Sequence, residues 1–332
     1  MSVFTLRFDM RAPSWGAPPA ALYGAVPEMC AWAEEHGGLA AVFCEHHGSE
    51  DGYLPSPFLL GSAVASRTQR LGLSLILIFP FYEPVRLAED MAVLDIISGG
   101  RASYILALGY RPEEFEHFGL TLKDRGRLAD RNLPLLRRLL AGETVIHDGR
   151  RITVTPRPQT PGGPSLVWGG GSVAAARRAG RYGLGLLANG KVPGMQEAYE
   201  AACREHGQQP GPTMLPDRDT PSVVFVAGDV EQAWSELGEH LLHDARTYAE
   251  WNPGNETSAG FSHVTTVDQL REAAASHVII SVPEAISRIR AGQILNLAPL
   301  CGGLPPDLAW PYLKRVGDVV LPEALSEGKT PV

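Results

Sequence analysis

The sequence predicts an α/β protein with the (β/α)8 architecture of a TIM barrel, interrupted by insertions. Short apolar runs typical of strands alternate with amphipathic helical patterns along nearly the whole chain, and eight such strand-then-helix repeats are present. A length of 332 residues is usual for a single barrel domain. Several strand segments are apolar almost throughout, as expected of parallel strands that are covered on both faces.

The repeat is clearest around the third strand. The apolar run Leu71–Ile78 precedes a segment in which apolar residues recur three or four positions apart, and a second apolar run follows. Pro84 stands near the start of this helix, where a missing N–H does no harm, and Gly99 stands at its end, where a left-handed residue is common. Strand, helix and strand joined by short loops form a βαβ unit.

The other elements follow by the same criteria. The predicted strands are Val3–Phe8, Ala40–Cys44, Leu71–Ile78, Ala102–Leu108, Ser165–Trp168, Leu184–Ala188, Ser222–Ala227 and Gln293–Pro299. The predicted helices are Leu22–His36, Pro57–Ser66, Val85–Ile97, Leu128–Leu140, Val173–Tyr182, Met195–His206, Val230–Tyr248, Pro283–Ala291 and a last one near Pro306–Val316.

Two segments break the repeat and are predicted to be insertions rather than separate domains. Residues 143–163 alternate around Asp148-Gly149, which predicts a hairpin, and residues 246–277 are polar with weak periodicity. We therefore expect one barrel domain over residues 1–325 and a short tail over residues 326–332.

Composition excludes several function classes. A formal charge of −8 argues against nucleic acid as the main partner, because phosphate binding needs clustered Lys and Arg. No run of eighteen apolar residues is present, so we expect no membrane span, and the N-terminus lacks the pattern of a secretory signal. Four widely scattered cysteines have no metal-ligand spacing and predict buried thiols in a cytoplasmic protein without a metal.

Glu45-His46-His47 directly follows the second predicted strand. Barrel active sites lie at the carboxyl ends of strands, and histidine suits proton transfer near neutral pH. Adjacent histidines on an extended segment point to opposite sides, so they cannot easily share one metal ion. The residues alone leave open a functional site or a satisfied polar cluster.

A glycine-rich turn ends the fifth strand at Trp168-Gly169-Gly170-Gly171-Ser172 and opens a helix. Free N–H groups at such a helix start can bind an anion, although a tight turn with Ser172 as the helix cap explains the same residues. No Gly-x-Gly-x-x-Gly fingerprint opens a βαβ unit, so nicotinamide binding as a primary function is not indicated.

Taken together, four stretches give the chain a family resemblance: Glu45–His47, Pro84–Arg101, Gly109–Gly119 and Trp168–Gly183. These sequence motifs resemble those of the bacterial luciferase-like monooxygenases, a family of flavin-dependent (β/α)8 barrels. The resemblance runs from about Val3 to Leu325. It implies that His46 is a catalytic acid/base beside the flavin and that His47 supports it. The family often has an aromatic residue next, where this chain has Gly48.

The resemblance also implies the cofactor contacts. In many family members a non-prolyl cis peptide bulges the third strand behind the flavin ring, and the matching position here is Leu75–Ile76. The stretch Ala107–Phe115 resembles the family's next signature, which implies contacts from Ala107, Gly109 and Tyr110, with Gly109 admitting the ring closely.

Phosphate binding is implied at the glycine-rich turn, through Gly170, Gly171 and Ser172. The family pattern has an arginine for phosphate where this chain has Leu108, so another cation must serve. The candidates are Arg111, Arg125 and Arg127, of which Arg125 is the one we assign to the cofactor.

The resemblance implies a monooxygenase that takes reduced FMN from a separate reductase and uses O2 to oxidise a small organic substrate. Two alternatives stay open: an oxidoreductase on the same barrel that uses a deazaflavin for hydride transfer, and a non-catalytic flavin-binding relative. Family analogy and the apolar helix Pro57–Ser66 predict a homodimer.

Overall fold

The computed structural model describes residues 2–188, 190, 192–217, 220–252 and 263–326. The predicted insertion 246–277 therefore lies partly outside the described residues, as does the tail beyond residue 326. None of the described helices combines the length and the apolar character needed to cross a membrane.

The chain divides into two compact units. The first, here the terminal unit, comprises Met1–Phe43, Ser49–Leu54 and Asp217–Val332. The second, here the central unit, comprises Cys44–Gly48 and Pro55–Pro216. Each unit holds parallel strands with helices between them, as a (β/α)8 sequence requires.

The twelve strands of the described residues are β1 Phe4–Phe8, β2 Gly38–Cys44, β3 Gly72–Ile78, β4 Ala102–Ala107, β5 Val145–His147, β6 Arg150–Ile152, β7 Ser165–Gly169, β8 Gly185–Leu187, β9 Thr213–Met214, β10 Val223–Ala227, β11 His277–Ser281 and β12 Leu295–Leu297. Strands of the terminal unit pair in the order β11-β10-β12-β1-β2, and those of the central unit in the order β3-β4-β7-β8-β9. Neighbours in both groups are parallel.

The α-helices of the described residues are α1 Pro19–Glu35, α2 Pro57–Arg67, α3 Pro84–Ser98, α4 Pro112–His117, α5 Arg125–Leu140, α6 Val173–Arg181, α7 Met195–Glu205, α8 Val230–Trp251, α9 Val267–Ala273, α10 Val282–Arg290, α11 Pro306–Arg315 and α12 Leu321–Leu325. Short 3-10 turns lie at Phe79–Phe81, Leu122–Asp124 and Cys301–Gly303, and a π-helical turn at Val316–Val320.

Each of the eight predicted strands overlaps an observed strand, and two further parallel strands were not predicted from the sequence. The first, β9, has only two residues. The second, β11, begins at His277, the last residue of the predicted insertion 246–277. That segment is also more regular than predicted, because α8 extends to Trp251 and α9 lies within it.

The predicted hairpin is present as β5 and β6, which pair antiparallel. Asp148 and Gly149 both have positive φ, 49° and 74°, as a two-residue turn that matches the strand twist requires. This insertion within residues 143–163 is therefore a small two-stranded ribbon.

The helix α3 is closed at both ends by its own sequence. The Glu83 side chain accepts hydrogen bonds from the N–H groups of Val85 and Arg86. Gly99 adopts the left-handed conformation, with φ 65° and ψ 36°, directly after the last helical residue. The predicted boundaries of this helix are therefore confirmed to within a residue.

Arg101 joins the ends of α2 and α3. Its guanidinium donates to the carbonyl oxygens of Ala65 and Thr68 at the end of α2, at 3.0 and 2.9 Å. It also donates to Ser98 at the end of α3 (2.6 Å) and to Leu71 at the start of β3 (2.7 Å). One cation thus satisfies carbonyls that two helix ends leave without intrahelical partners.

We predict that Arg101→Met lowers the free energy of unfolding by about 2–3 kcal/mol, because several charge-assisted hydrogen bonds are lost together. Urea denaturation measures the change. The matched control is Arg86→Met, whose side chain is 71% exposed and pairs only with surface acids; its effect should stay within about 0.5 kcal/mol. Equal effects for the two variants would contradict this role of Arg101.

Candidate active site

The Glu45 carboxylate attaches the Glu45–His47 segment to the end of β3. Its Oε2 accepts the backbone N–H of Ile78 at 2.5 Å, and its Oε1 accepts the Tyr82 hydroxyl at 2.6 Å. Burial, and next the Glu45 charge, raise the pKa of Tyr82, so this phenol stays a donor. The segment after β2 is therefore held at the carboxyl end of β3, where barrel chemistry takes place.

His46 is held from both ring nitrogens. Its Nδ1 lies 2.8 Å from Glu114 Oε1, and its Nε2 lies 3.1 Å from the Tyr110 hydroxyl. An ionised carboxylate only accepts hydrogen bonds, so Nδ1 carries the proton toward Glu114. The ring is 7% exposed and its orientation is fixed by two side chains of the same unit.

Glu114 is fully buried and organises the site around His46. The same Oε1 accepts the backbone N–H of His47 at 2.8 Å and lies 3.3 Å from Arg111 Nη1. Burial alone would raise the pKa of Glu114, but the His46 hydrogen bond, with the His47 N–H and the Arg111 charge, lowers it below its ordinary value. Glu114 is thus an ionised acceptor at neutral pH.

Arg111 belongs to this network. Besides Glu114, its Nη1 donates to the His47 carbonyl oxygen at 2.9 Å, and the side chain is buried. The sequence placed Arg111 among three candidates for phosphate. Its contacts with Glu114 and His47 favour Arg125, the residue assigned from the sequence, for that role.

The two histidines make different contacts, as the alternation of an extended segment predicts. His47 Nε2 lies 3.0 Å from Glu45 Oε1, and the ring meets Phe81 and Phe118 edge-on, with centroid distances of 5.5 and 4.8 Å. His47 is therefore packed among aromatic rings, whereas His46 lies between Glu114 and Tyr110.

At two positions beside the site, neighbouring side chains leave room only for glycine. Gly48 has φ 60°, and a Cβ there would collide with the His117 ring, so the aromatic residue common in similar proteins cannot occupy this position as the chain is folded. Gly109 has φ 74°, and a Cβ there would lie 2.7 Å from Ile78 Cγ2. The backbone is thus closely packed on this side of the site.

Strand register aligns the predicted cofactor residues along one edge. In the parallel ladder Ile78 is opposite Ala107, and Ala107 is opposite Gly169. Neighbouring strands lie about 4.8 Å apart, so these three carboxyl ends span about 10 Å. Since Glu45 binds the N–H of Ile78, the His46 segment and the glycine-rich turn lie on the same rim.

The predicted cis peptide at Leu75–Ile76 is wrong for this structure. The cis bond of the described residues is Thr155–Pro156, and Leu75 and Ile76 continue a regular ladder with Tyr104 and Ile105. The Leu75 side chain is buried toward Gly61 of α2, so a flavin could meet only its backbone. Ile76, on the other face, is partly exposed.

At the glycine-rich turn the three predicted residues have different roles. The N–H of Gly170 donates to the Leu187 carbonyl at 2.9 Å and is not available to an anion. Ser172 is the helix cap, its hydroxyl accepting from Ala175 N at 3.2 Å. Gly171 and Ser172 are exposed where α6 begins, and first-turn N–H groups there lack intrahelical partners.

The remaining arginine candidates lie at the start of α5. Arg125 donates to the Leu122 carbonyl at 3.1 Å and is partly exposed, and Arg127 pairs with Asp124 at the surface. Neighbouring α5 residue Asp130 binds Arg178 of α6 at 2.8 and 3.1 Å, which ties the two helices together. The assignment of Arg125 to the cofactor stays a prediction.

Sequence reasoning missed Glu114 as a site residue, and it named Arg111 for phosphate binding without its contact to Glu114. Both residues lie in the Ala107–Phe115 stretch. Acidic residues are common in the first turn of a helix, so Glu114, which follows Pro112 closely, was expected to lie at the surface. The spacing of three between Arg111 and Glu114 was the available signal, because such residues share one helix face.

A second charged cluster lies in the terminal unit. Arg11 and Asp244 are fully buried and joined at 3.1 Å, and Arg7 reaches the same Asp244 carboxylate at 2.9 Å. Burial, and then Asp244, raise the pKa of Asp9 to about 6. Sequence reasoning missed this cluster, although charges alternate directly after β1.

One group of three potential metal ligands occurs among the described residues: Asp244, His277 and Cys301, whose ligand atoms lie within 4.8 Å of one another. The Asp244 carboxylate already binds two guanidinium groups, and burial raises the pKa of the Cys301 thiol. A protonated thiol beside two arginines is a poor cation site.

The fold and the site define a class: an α/β-barrel enzyme with a buried histidine at the strand ends. A model of the luciferase-like monooxygenases matches residues 6–285. The chain belongs to the luciferase-like monooxygenase family. The predicted family and its enzyme class are thereby confirmed.

The relatives agree with this assignment. The chain is 28% identical to 4-hydroxyprotoasukamycin monooxygenase of Streptomyces nodosus subsp. asukaensis, over 80% of this chain and 76% of that protein. Among solved structures it resembles monooxygenase RslO1 of Streptomyces bottropensis, with a TM-score of 0.75, 21% identity and coverage of 97% and 99%. Four curated relatives are matched over 37% to 76% of their own lengths.

A second solved structure that the chain resembles contains a cofactor. It is the oxygenating constituent of 3,6-diketocamphane monooxygenase from the CAM plasmid of Pseudomonas putida, in complex with FMN. The TM-score is 0.69 at 18% identity, with 97% of this chain and 99% of that chain covered. The predicted TIM-barrel fold is confirmed by these neighbours.

We predict that Glu114→Gln lowers the free energy of unfolding by about 1.5–3 kcal/mol at pH 7, because an ionised acceptor of several donors is lost. The folded pKa of Glu114 lies below its unfolded value, so its ionisation stabilises the fold above about pH 4.5 and this contribution is lost as pH falls further. The difference in the free energy of unfolding between the native protein and Glu114→Gln should therefore become smaller as pH falls from 5 to 3.

Urea titrations at several pH values measure this deficit. Glu116→Gln, an exposed neighbour on the same helix, is the control and should give a small, pH-independent change. A Glu114 deficit that is constant with pH would show that its charge does not stabilise the fold.

Proposed function

We propose that this protein is a monooxygenase that uses reduced FMN and O2 to oxidise a small organic substrate. The observation that carries the proposal is His46, a buried imidazole held by Glu114 and Tyr110 at the strand ends of the central unit. Family membership supplies the reaction class. Neither fixes the substrate.

FMN fits the residues that line this rim. Ile76, Ala107 and the backbone at Leu75 and Gly109 would meet the ring system, and Tyr110 would lie beside it. Gly171 and Ser172 would present the start of α6 to the phosphate, with Gly170 keeping the turn close to β8 and Arg125 adding charge. The bound flavin would supply the electrons that activate oxygen.

His46 would hold or move a proton at Nε2. Glu114 fixes the Nδ1 proton, so Nε2 is the nitrogen that can accept one, and Tyr110 is its neighbour in the structure. His47, held by Glu45, would support the fold of the segment.

A separate reductase would deliver the reduced flavin, and the protein would act in the cytoplasm. The 3,6-diketocamphane neighbour is the oxygenating constituent of its monooxygenase, which supports a system divided between two proteins. The first alternative is a deazaflavin-dependent hydride-transfer enzyme on the same barrel. The second is a flavin-binding protein without catalysis, which the ordered His46 environment disfavours.

Rapid mixing tests the reaction class. Protein loaded with photoreduced FMN is mixed with oxygenated buffer, and flavin absorbance is followed against free reduced FMN. We expect the protein to change the course of oxygen-dependent reoxidation. Indifference to oxygen, together with tighter binding of a deazaflavin than of FMN in equilibrium titrations, would favour the first alternative.

We predict that His46→Ala lowers turnover about 10²–10⁴-fold, because a positioned acid/base contributes this much. FMN affinity, measured by fluorescence titration, should change little since ring and phosphate contacts are unaffected. His47→Ala should instead cost mainly stability, because its ring is packed against Phe81 and Phe118. If His46→Ala turned over normally and His47→Ala were folded but inactive, His47 and not His46 would be the acid/base.

The homodimer is also a proposal, and the surface of α2 and α3 supports it. Leu59 on α2 is 75% exposed, and Val93, Ile96 and Ile97 on α3 are exposed too. The two helices pack against each other within the central unit. An exposed apolar surface on paired helices is typical of a subunit contact.

We predict that the double variant Leu59→Glu/Ile97→Glu is a folded monomer, because charges in a desolvated contact are costly. Light scattering at micromolar concentration gives the mass. Ile146→Glu, at an exposed apolar residue of the β5–β6 ribbon, is the control and should keep the native mass. A monomeric mass for the native protein would contradict the proposed homodimer.

A further inference from the structure

A cavity of about 320 Å³ lies in the terminal unit, between the loop after β1 and the exposed side of α8. Trp15 forms one wall, and Leu242, His243 and Arg246 face it from the helix. Binding sites for small molecules begin at about this volume. None of the residues that line the cavity is among those assigned to the flavin above.

His243 brings a directed acceptor to this cavity. Its Nε2 lies 2.9 Å from Asp51 Oδ2, and the same oxygen accepts Arg11 Nη1 at 2.6 Å. Burial would raise the pKa of Asp51, but the His243 hydrogen bond and the Arg11 charge outweigh it and lower the pKa. Because the carboxylate only accepts, Nε2 carries the proton and Nδ1 keeps its lone pair in the neutral ring.

The other ring nitrogen of His243 has no hydrogen-bond partner among the described residues. Within the described part of the chain, Asp51 is the sole hydrogen-bonding partner recorded for the His243 ring. Aspartate thereby fixes both the ring orientation and the tautomer, as in other carboxylate-held histidines. The result is a hydrogen-bond acceptor that a ligand can use.

Trp15 provides a flat apolar surface beside that acceptor. Its indole is 54% exposed, which is unusual for the largest side chain, and it meets His243 edge-on with a centroid distance of 5.7 Å. Exposed indole faces bind aromatic rings and cations. Two carboxylates, Glu239 and Glu250, oppose the single positive charge of Arg246 at the rim, so the charge balance disfavours anions.

We propose that this cavity binds a small aromatic molecule that carries a hydroxyl or amino group. The ring lies against Trp15, and the hydroxyl or amino hydrogen is donated to Nδ1 of His243. The site takes a neutral or cationic ligand rather than an aromatic carboxylate. It does not depend on FMN, so binding should persist whether or not the flavin reaction is as proposed.

Isothermal titration of the full chain, with and without FMN, tests the site with three probes: 2-naphthol, 2-methylnaphthalene and 2-naphthoate. We expect 2-naphthol to bind about tenfold more tightly than its methyl counterpart, the ratio that one hydrogen bond supplies. His243→Phe keeps an aromatic ring but removes the acceptor, and should abolish this ratio. Trp15→Ala should weaken both neutral probes.

The matched control is Thr247→Val. Thr247 borders the cavity, but its hydroxyl donates to the His243 carbonyl within α8, so its replacement should leave 2-naphthol affinity within about twofold. Equal affinity for the two neutral probes, or tightest binding of 2-naphthoate, would overturn the proposal. So would a preference for 2-naphthol that survives in His243→Phe, since the probe would then bind elsewhere.

Discussion

The site around His46 depends on one buried carboxylate. Glu114 has no exposed surface, and its Oε1 serves the His46 ring, the His47 N–H and Arg111 together. A carboxylate removed from water is costly unless donors surround it. The hydrogen bonds to Oε1 therefore stabilise the Glu114 charge and hold the His46 ring in one orientation, while the buried Oε2 has no hydrogen-bond partner among the described residues.

The terminal unit applies the same physics to a second histidine. Asp51 is held ionised by Arg11 and fixes the ring of His243, as Glu114 fixes His46. In both cases an arginine lies beside the carboxylate that holds the histidine ring. Paired charges of this kind are costly to bury and gain their value from the geometry that they specify.

Much of the architecture follows from local sequence. Strand and helix periodicity located the eight barrel strands, and Glu83, Gly99 and Ser172 mark helix ends by chemistry that needs no tertiary information. His46 and the glycine-rich turn were found because they directly follow strands.

Tertiary relations explain what sequence reasoning missed. Glu114 becomes a site residue only because α4 lies against the segment after β2, and nothing local distinguishes it from exposed Glu113. The strand β11 begins where a segment of weak periodicity ends, and it was not predicted. The resemblance to the family predicted a cis peptide bond at Leu75–Ile76, but β3 pairs regularly with β4 there and the bond is not cis.

At Gly48 the His117 ring occupies the space that a side chain would need, which makes these two positions interdependent. A larger residue at position 48 would be tolerated only after position 117 had become small, so the order in which such changes occur decides which variants of this chain remain folded.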